Sequence, residues 1–309
     1  MKNYSNIAIV ASFFGLWMDS FLSTQLQIVL GFFLIFTFGI LHGANDLLLI
    51  QNIKTVKQSN SWFKILGYYL VVVLTGAFLF YTIPQVALLL FILVSAYHFG
   101  EQQWQDLQHD FPKWLVIIFQ FIYGLVILLL LFNFHLIEVQ NIILNIANIS
   151  IFDSYFTIIL QVSGIIFISL SAYLYWKSEN IRKKLILEFF YLVLFAILFK
   201  SSSLIWGFAI YFVLWHSIPS IIDQIKFLNG SFSIKYFFAY CKAAGIYWLL
   251  SIVGITLIYY ICKEEQLFNA LFFSFLAAIT FPHAVVITNM FGTKQPKKIE
   301  THKKTVYQR

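Results

Sequence analysis

The stretch LLLFILVSAYHFGEQQW, residues 88–104, runs a long apolar segment straight into a histidine, a glutamate and two glutamines. Its length and greasiness read as a helix crossing a bilayer, since roughly 20 apolar residues span a hydrocarbon layer of ~30 Å. A polar side chain in that medium costs free energy whether or not it is useful. His98 and Glu101 therefore need a reason to be there, and three further segments of the chain raise the same question.

The composition agrees with the membrane reading. Of 309 residues, 61% are hydrophobic and 11% charged, and the mean hydropathy is +0.83. A soluble domain carries roughly 25% charged residues, so that class is excluded. The fold class expected is all-α: a polytopic integral membrane helical bundle. Cys241 and Cys262 lie in or beside apolar runs, and nothing in their placing suggests a disulfide framework or a thiolate metal site. The start, MKNYSNIAIVASFFGLWMD, has a lysine before an apolar stretch but no small-residue cleavage signal after it, so it reads as a first span.

Ten transmembrane helices are expected, near 6–24, 26–50, 62–82, 85–104, 114–133, 152–176, 185–200, 203–222, 243–262 and 267–292. Residues 1–292 then form a single helical domain, with 6–24 as an extra N-terminal span, and 293–309 form a basic tail. Segment 134–151, containing HLIEVQNIILNIANIS, is amphipathic and too polar to cross; it is expected at the interface or capping the bundle. Lysine and arginine are retained on the cytoplasmic side. With both termini cytoplasmic, only Lys200 and Lys263 of the 20 basic residues fall outside. The net charge of +7 is thus explained by orientation in a cell membrane, and the tail TKQPKKIETHKKTVYQR implies no nucleic acid.

Seven histidines are present. His109, His135 and His302 fall in loops or the tail, where a solvated imidazole is expected. The other four, His42, His98, His216 and His283, each lie within a different span. All four spans run from outside to inside in this topology. Each histidine precedes the first inside lysine by 10 to 15 residues, which is roughly 15–22 Å at the rise of an α-helix. Four imidazoles on four helices at one level can meet at a point. A lone membrane histidine usually bonds a neighbouring helix, but four at matched depth point to a metal centre.

Iron, copper or zinc would suit such an all-imidazole set. Asp46, four residues after His42, and Glu101, three after His98, are placed to accept the second ring N–H of a ligating histidine; each could equally be an interfacial residue at the end of its helix. Gly43, Ala44 and Gly100 allow close helix approach, and Pro282 can kink its helix beside His283. Candidates for a general acid or nucleophile are scarce, and no catalytic group is expected beyond the metal centre.

Four motifs carry a resemblance. HGANDLL at His42, AYHFGEQQW at His98, WHSIPS at His216 and FPHAVVITNMF at His283 resemble, in order, the motifs of the Brp/Blh family of microbial β-carotene 15,15′-dioxygenases. The resemblance runs from about residue 30 to 292 and leaves the first span extra. It implies an iron(II) enzyme that uses O2 to split the central double bond of β-carotene into two molecules of all-trans-retinal. It also implies an indirect link to a retinal-binding rhodopsin. His42, His98 and His216 match the family's proposed ligands. Many members carry a second histidine four residues after the one in the His-Ser segment, where this chain has Ser220. The shared depth nominates His283 in its place; the alternative is a diverged member without metal.

Other functions remain open from the residues alone. A haem-binding electron carrier would pair histidines across the bundle, usually at two depths. A proton-coupled transporter would string polar residues through the membrane. A non-catalytic carotenoid- or retinal-binding protein is the reading left if Ser220 marks loss of the metal. Di-iron membrane desaturases use clustered histidine boxes that this chain lacks.

Overall fold

The computed structural model describes residues 2–53, 62–261 and 265–293. The basic tail from Lys294 lies outside the described residues, as do Lys54, Lys57, Lys263 and His302. Every regular element among the described residues is helical. In chain order these are α1 (Lys2–Asp19), α2 (Thr24–Leu34), α3 (Ile40–Gly43), α4 (Asp46–Asn52), α5 (Trp62–Thr82), α6 (Pro84–Trp104) and α7 (Lys113–Phe134). There follow α8 (Leu136–Ala147), α9 (Asp153–Lys177), α10 (Glu179–Ser201), α11 (Leu204–Tyr211), α12 (Ile218–Asn229), α13 (Ile234–Ile261) and α14 (Glu265–Thr293). A π-helical turn, Ile35–Gly39, joins α2 to α3, and another, Phe212–Ser217, joins α11 to α12.

Eight helical rods among the described residues are long and apolar enough to cross a bilayer. The chain is thus an all-α polytopic membrane bundle. Two of the ten expected spans fall short by composition. Helix α1 opens on Lys2, Asn3, Tyr4, Ser5 and Asn6 and closes on Asp19. Helix α10 carries Glu179, Arg182, Lys183, Lys184 and Glu188 along half its length. The amphipathic segment forms α8, twelve residues and too short to cross.

The environment of each rod follows from which face is apolar. Helices α5, α9 and α13 are mostly exposed, yet what they expose is Val71, Leu74, Phe78, Ile165, Leu249 and Leu250. In water such surfaces would aggregate; in lipid they are the ordinary outer wall. Helix α7 and the α11–α12 rod are mostly buried and form the centre. Phe119, Tyr123, Phe167, Phe195 and Phe199 fill the core between α7, α9 and α10.

Two glycines decide how closely α6 meets α7. A Cβ on Gly100 would sit 1.7 Å from the Gln120 carbonyl oxygen, and one on Gly124 would sit 1.9 Å from that of Ala96. No side chain fits, so the backbones touch, and the contact fixes the end of α6 that bears His98. Chain ends of the rods are tied by polar side chains. Ser23 and Ser203 accept from the backbone N–H groups of Leu26 and Trp206. The Ser203 N–H donates to Gln27 Oε1 at 2.9 Å, fastening α2 to α11.

Candidate metal centre

His42 lies at the end of the α2–α3 rod, His98 lies six residues before the end of α6, His216 sits in the second π turn, and His283 follows Pro282 inside α14. All four are buried. The structure brings their rings together in a closed circuit. Ring centroids are 5.1 Å apart for His42–His216 and 4.7 Å for His216–His98. They are 5.1 Å apart for His98–His283 and 4.6 Å for His283–His42. Neighbouring planes are inclined by 77–89°. Ligand nitrogens of His42, His98 and His283 lie within 4.8 Å of one another, close enough to share one ion. His216 flanks His42 and His98, with Phe212 stacked on its other side.

The local backbone explains why the rings can converge. A π turn seats one more residue than an α-helical turn and is common at functional sites. The two π turns meet where a Cβ on Gly39 would come within 2.7 Å of the Phe212 ring, so only glycine leaves space for that phenylalanine. The His42 Nδ1–H donates to the Gly39 carbonyl within the first π turn. That bond leaves Nε2 as the bare nitrogen.

Asp46 does not orient His42, as the spacing in the sequence suggested. Helix α3 stops at Gly43 and α4 begins at Asp46, with Asn45 out of helical geometry between them, so the i, i+4 relation is broken. The Asp46 carboxylate accepts instead from His283 Nδ1 at 2.7 Å and from the Tyr69 hydroxyl at 3.0 Å. Glu101 does not reach His98 at all. Its oxygens accept from the Tyr97 and Thr288 hydroxyls at 3.0 and 2.9 Å, tying α6 to α14. His135 differs from expectation too: it is buried at the junction of α7 and α8 rather than solvated.

Two supporting residues went unnoticed in the sequence. Tyr69 is one tyrosine in the apolar run of α5 and carries no local signal. Gln224 donates to the His42 carbonyl at 2.8 Å and to Ser220 Oγ at 3.1 Å, while its own oxygen accepts from Tyr240. Ser220 therefore belongs to the bonding behind His42, outside the circuit of rings.

The donor set fits a metal ion. Both nitrogens of His98, both of His216 and Nε2 of His283 are buried without a hydrogen-bond partner. A buried polar atom left unsatisfied costs roughly 1–3 kcal/mol. A shared cation would relieve one nitrogen on each of these three rings. On the open side the rings face a cavity also lined by Phe91, Ser95, Phe99, Phe208 and Phe212.

Fold and site together define a polytopic membrane protein whose core holds an imidazole cluster opening on an apolar cavity. The family is shown by comparison: residues 33–291 match the model for beta-carotene 15,15′-dioxygenase, and the chain belongs to that family. Searches of curated proteins and of solved structures found no match.

Proposed function

We propose that this protein is an iron(II)-dependent dioxygenase of the cytoplasmic membrane. It would split the central 15,15′ double bond of β-carotene with O2 to give two molecules of all-trans-retinal. The observation that carries the reading is the packing of four histidine rings, with nitrogens that lack a hydrogen-bond partner, beside an apolar cavity. His42, His98, His216 and His283 are the proposed ligands. Both termini face the cytoplasm, and residues 1–292 act as one helical domain with a basic tail.

When bound, the iron supplies the activation of O2. The remaining work belongs to the chain. Gly39 and Asp46 each accept an Nδ1–H, holding His42 and His283 with Nε2 turned to the common centre. Phe99 and Phe212 wall the site and exclude water, which guards against side reactions. A hydrocarbon substrate has no polar handle, so its position is set by shape and apolar contact, and holding one bond beside the metal selects where it is cut. The reaction balances without a proton donor: the double bond breaks and each carbon takes one oxygen atom of O2. None of the described residues that line the cavity is a carboxylate. Rings spaced at 4.6–5.1 Å leave no room between them for a haem macrocycle.

The test is expression in bacteria that accumulate β-carotene, with retinal measured by chromatography and iron by elemental analysis of the purified protein. Wild type should bleach the cells and yield retinal, while His42→Ala and His283→Ala should yield none and lose iron. Full activity of His283→Ala would remove that residue from the ligand set. No retinal from well-expressed, iron-replete wild type would overturn the reading.

A further inference from the structure

A second cavity continues the first. Phe91, Ser95, Phe99, Phe208 and Leu276 line both, so the space beside the imidazoles extends into a gallery between α6, α7, α8 and α11. Its far lining includes Leu88, Leu131, Phe132, Leu204, Val139 and Ile143. Apart from Ser95, every side chain along it is aliphatic or phenylalanine.

The gallery has a definite length. On α6 it runs along one face from His98 back to Leu88, ten residues or about 15 Å. On the α11–α12 rod it runs from His216 back to Leu204, twelve residues or about 18 Å. Both distances are close to that from the central double bond of a forty-carbon carotenoid to the far edge of its terminal ring.

Helix α8 closes the far end. Val139, Ile142 and Ile143 line the gallery, while Glu138, Asn141 and Asn145 do not. The helix is fastened at its middle and at its C-terminal end. Gln85 Nε2 donates to the Ala147 carbonyl at 2.8 Å. The Gln140 side chain accepts from the Ile151 N–H at 3.2 Å and donates to Asp153 at 3.0 Å. A wall so anchored is a fixed stop.

We infer that α8 acts as a ruler: Val139, Ile142 and Ile143 stop the ring of an inserted half-carotenoid, and thereby choose which double bond reaches the histidines and which ring is accepted. The inference rests on the dioxygenase reading and deepens it. An unsubstituted ring fills the end with apolar contact. A hydroxylated ring would bury its oxygen with no partner, a penalty on the order of 10–100-fold in relative cleavage.

The experiment compares wild type, Ile143→Trp and the double variant Ile142→Ala/Ile143→Ala, each given β-carotene and a carotenoid hydroxylated on both rings. Products are resolved by chromatography, and membrane insertion is checked by immunoblot. Wild type should yield retinal and cleave the hydroxylated substrate at least about ten-fold less. Ile143→Trp shortens the gallery, so a bond nearer the inserted ring is cut, with one oxygen atom of O2 again passing to each carbon. Its products should be a carbonyl compound shorter than retinal and an equal amount of a longer one. The alanine variant should shift the cut the opposite way, which on a symmetric substrate again gives one shorter and one longer product, and it supplies the answer if the tryptophan chain does not insert. Retinal as the sole product of every inserted variant, from a wild type that makes retinal, overturns the ruler alone. Equal cleavage of the two substrates by wild type overturns the ring selection. A wild type that cleaves neither overturns the dioxygenase reading and the ruler with it.

Discussion

Two buried polar clusters lean on α6, and they differ in whether their hydrogen bonds close. Around Glu188 each carboxylate oxygen has a donor: Gln103 Nε2 at 2.5 Å and the Tyr123 hydroxyl at 2.7 Å. Lys184, one turn earlier on α10, donates to the Gln103 carbonyl at 2.8 Å. Around His98 and His216 none of the ring nitrogens has a partner among the described residues. A satisfied network spends its polar groups on holding helices together. An unsatisfied one keeps its lone pairs for something else, and its cost is tolerated only where a ligand repays it. The first cluster holds helices together, and the second is the proposed metal site.

The largest break in that contrast should come from Gly100, which lies between the two. Gly100→Ala forces a methyl group into the Gln120 carbonyl, so α6 must leave α7 and both clusters lose their geometry. A loss of about 3 kcal/mol or more is expected. It would be read as a fall in Tm in detergent together with loss of bound iron. A variant with normal Tm and iron would show that the helix contact is not needed.

A narrower cut separates binding from support. Asp46→Asn removes the charge that holds His283 and should weaken iron binding by about 10–100-fold while leaving the fold in place. Competition against a chelator measures it, and an unchanged affinity would make Asp46 a structural residue only. The smallest effect is expected on the other side. Tyr123→Phe takes one donor from Glu188 and should cost about 1–2 kcal/mol of stability with iron content unaltered. Loss of iron in Tyr123→Phe would show that the clusters are coupled.

Much of this was legible in the sequence for a simple reason. Membrane depth can be counted along a helix, so the distances of His42, His98, His216 and His283 from the basic belt anticipated that their rings would share a level. Orientation about the helix axis cannot be counted in the same way once the helix departs from 3.6 residues per turn. The break at Ala44–Asn45 turned Asp46 away from His42 and towards a residue 237 positions later. Tyr69 and Gln224 act across helices, and a contact of that kind leaves no trace in either local pattern. The membership of α1 and α10 in the bundle was visible in their hydropathy. Their shortfall as spanning rods came from charged and polar ends that an apolar centre had masked.

The two π turns carry a consequence for how the site could change. An extra residue in a helical turn rotates everything downstream by about 100°. Deleting one residue within Phe212–Ser217 would restore an ordinary coil and swing the following side chains round the axis. His216 would then leave its place beside His42 and His98 without being substituted. A single-codon deletion here would therefore take one ring out of the circuit in one mutational step.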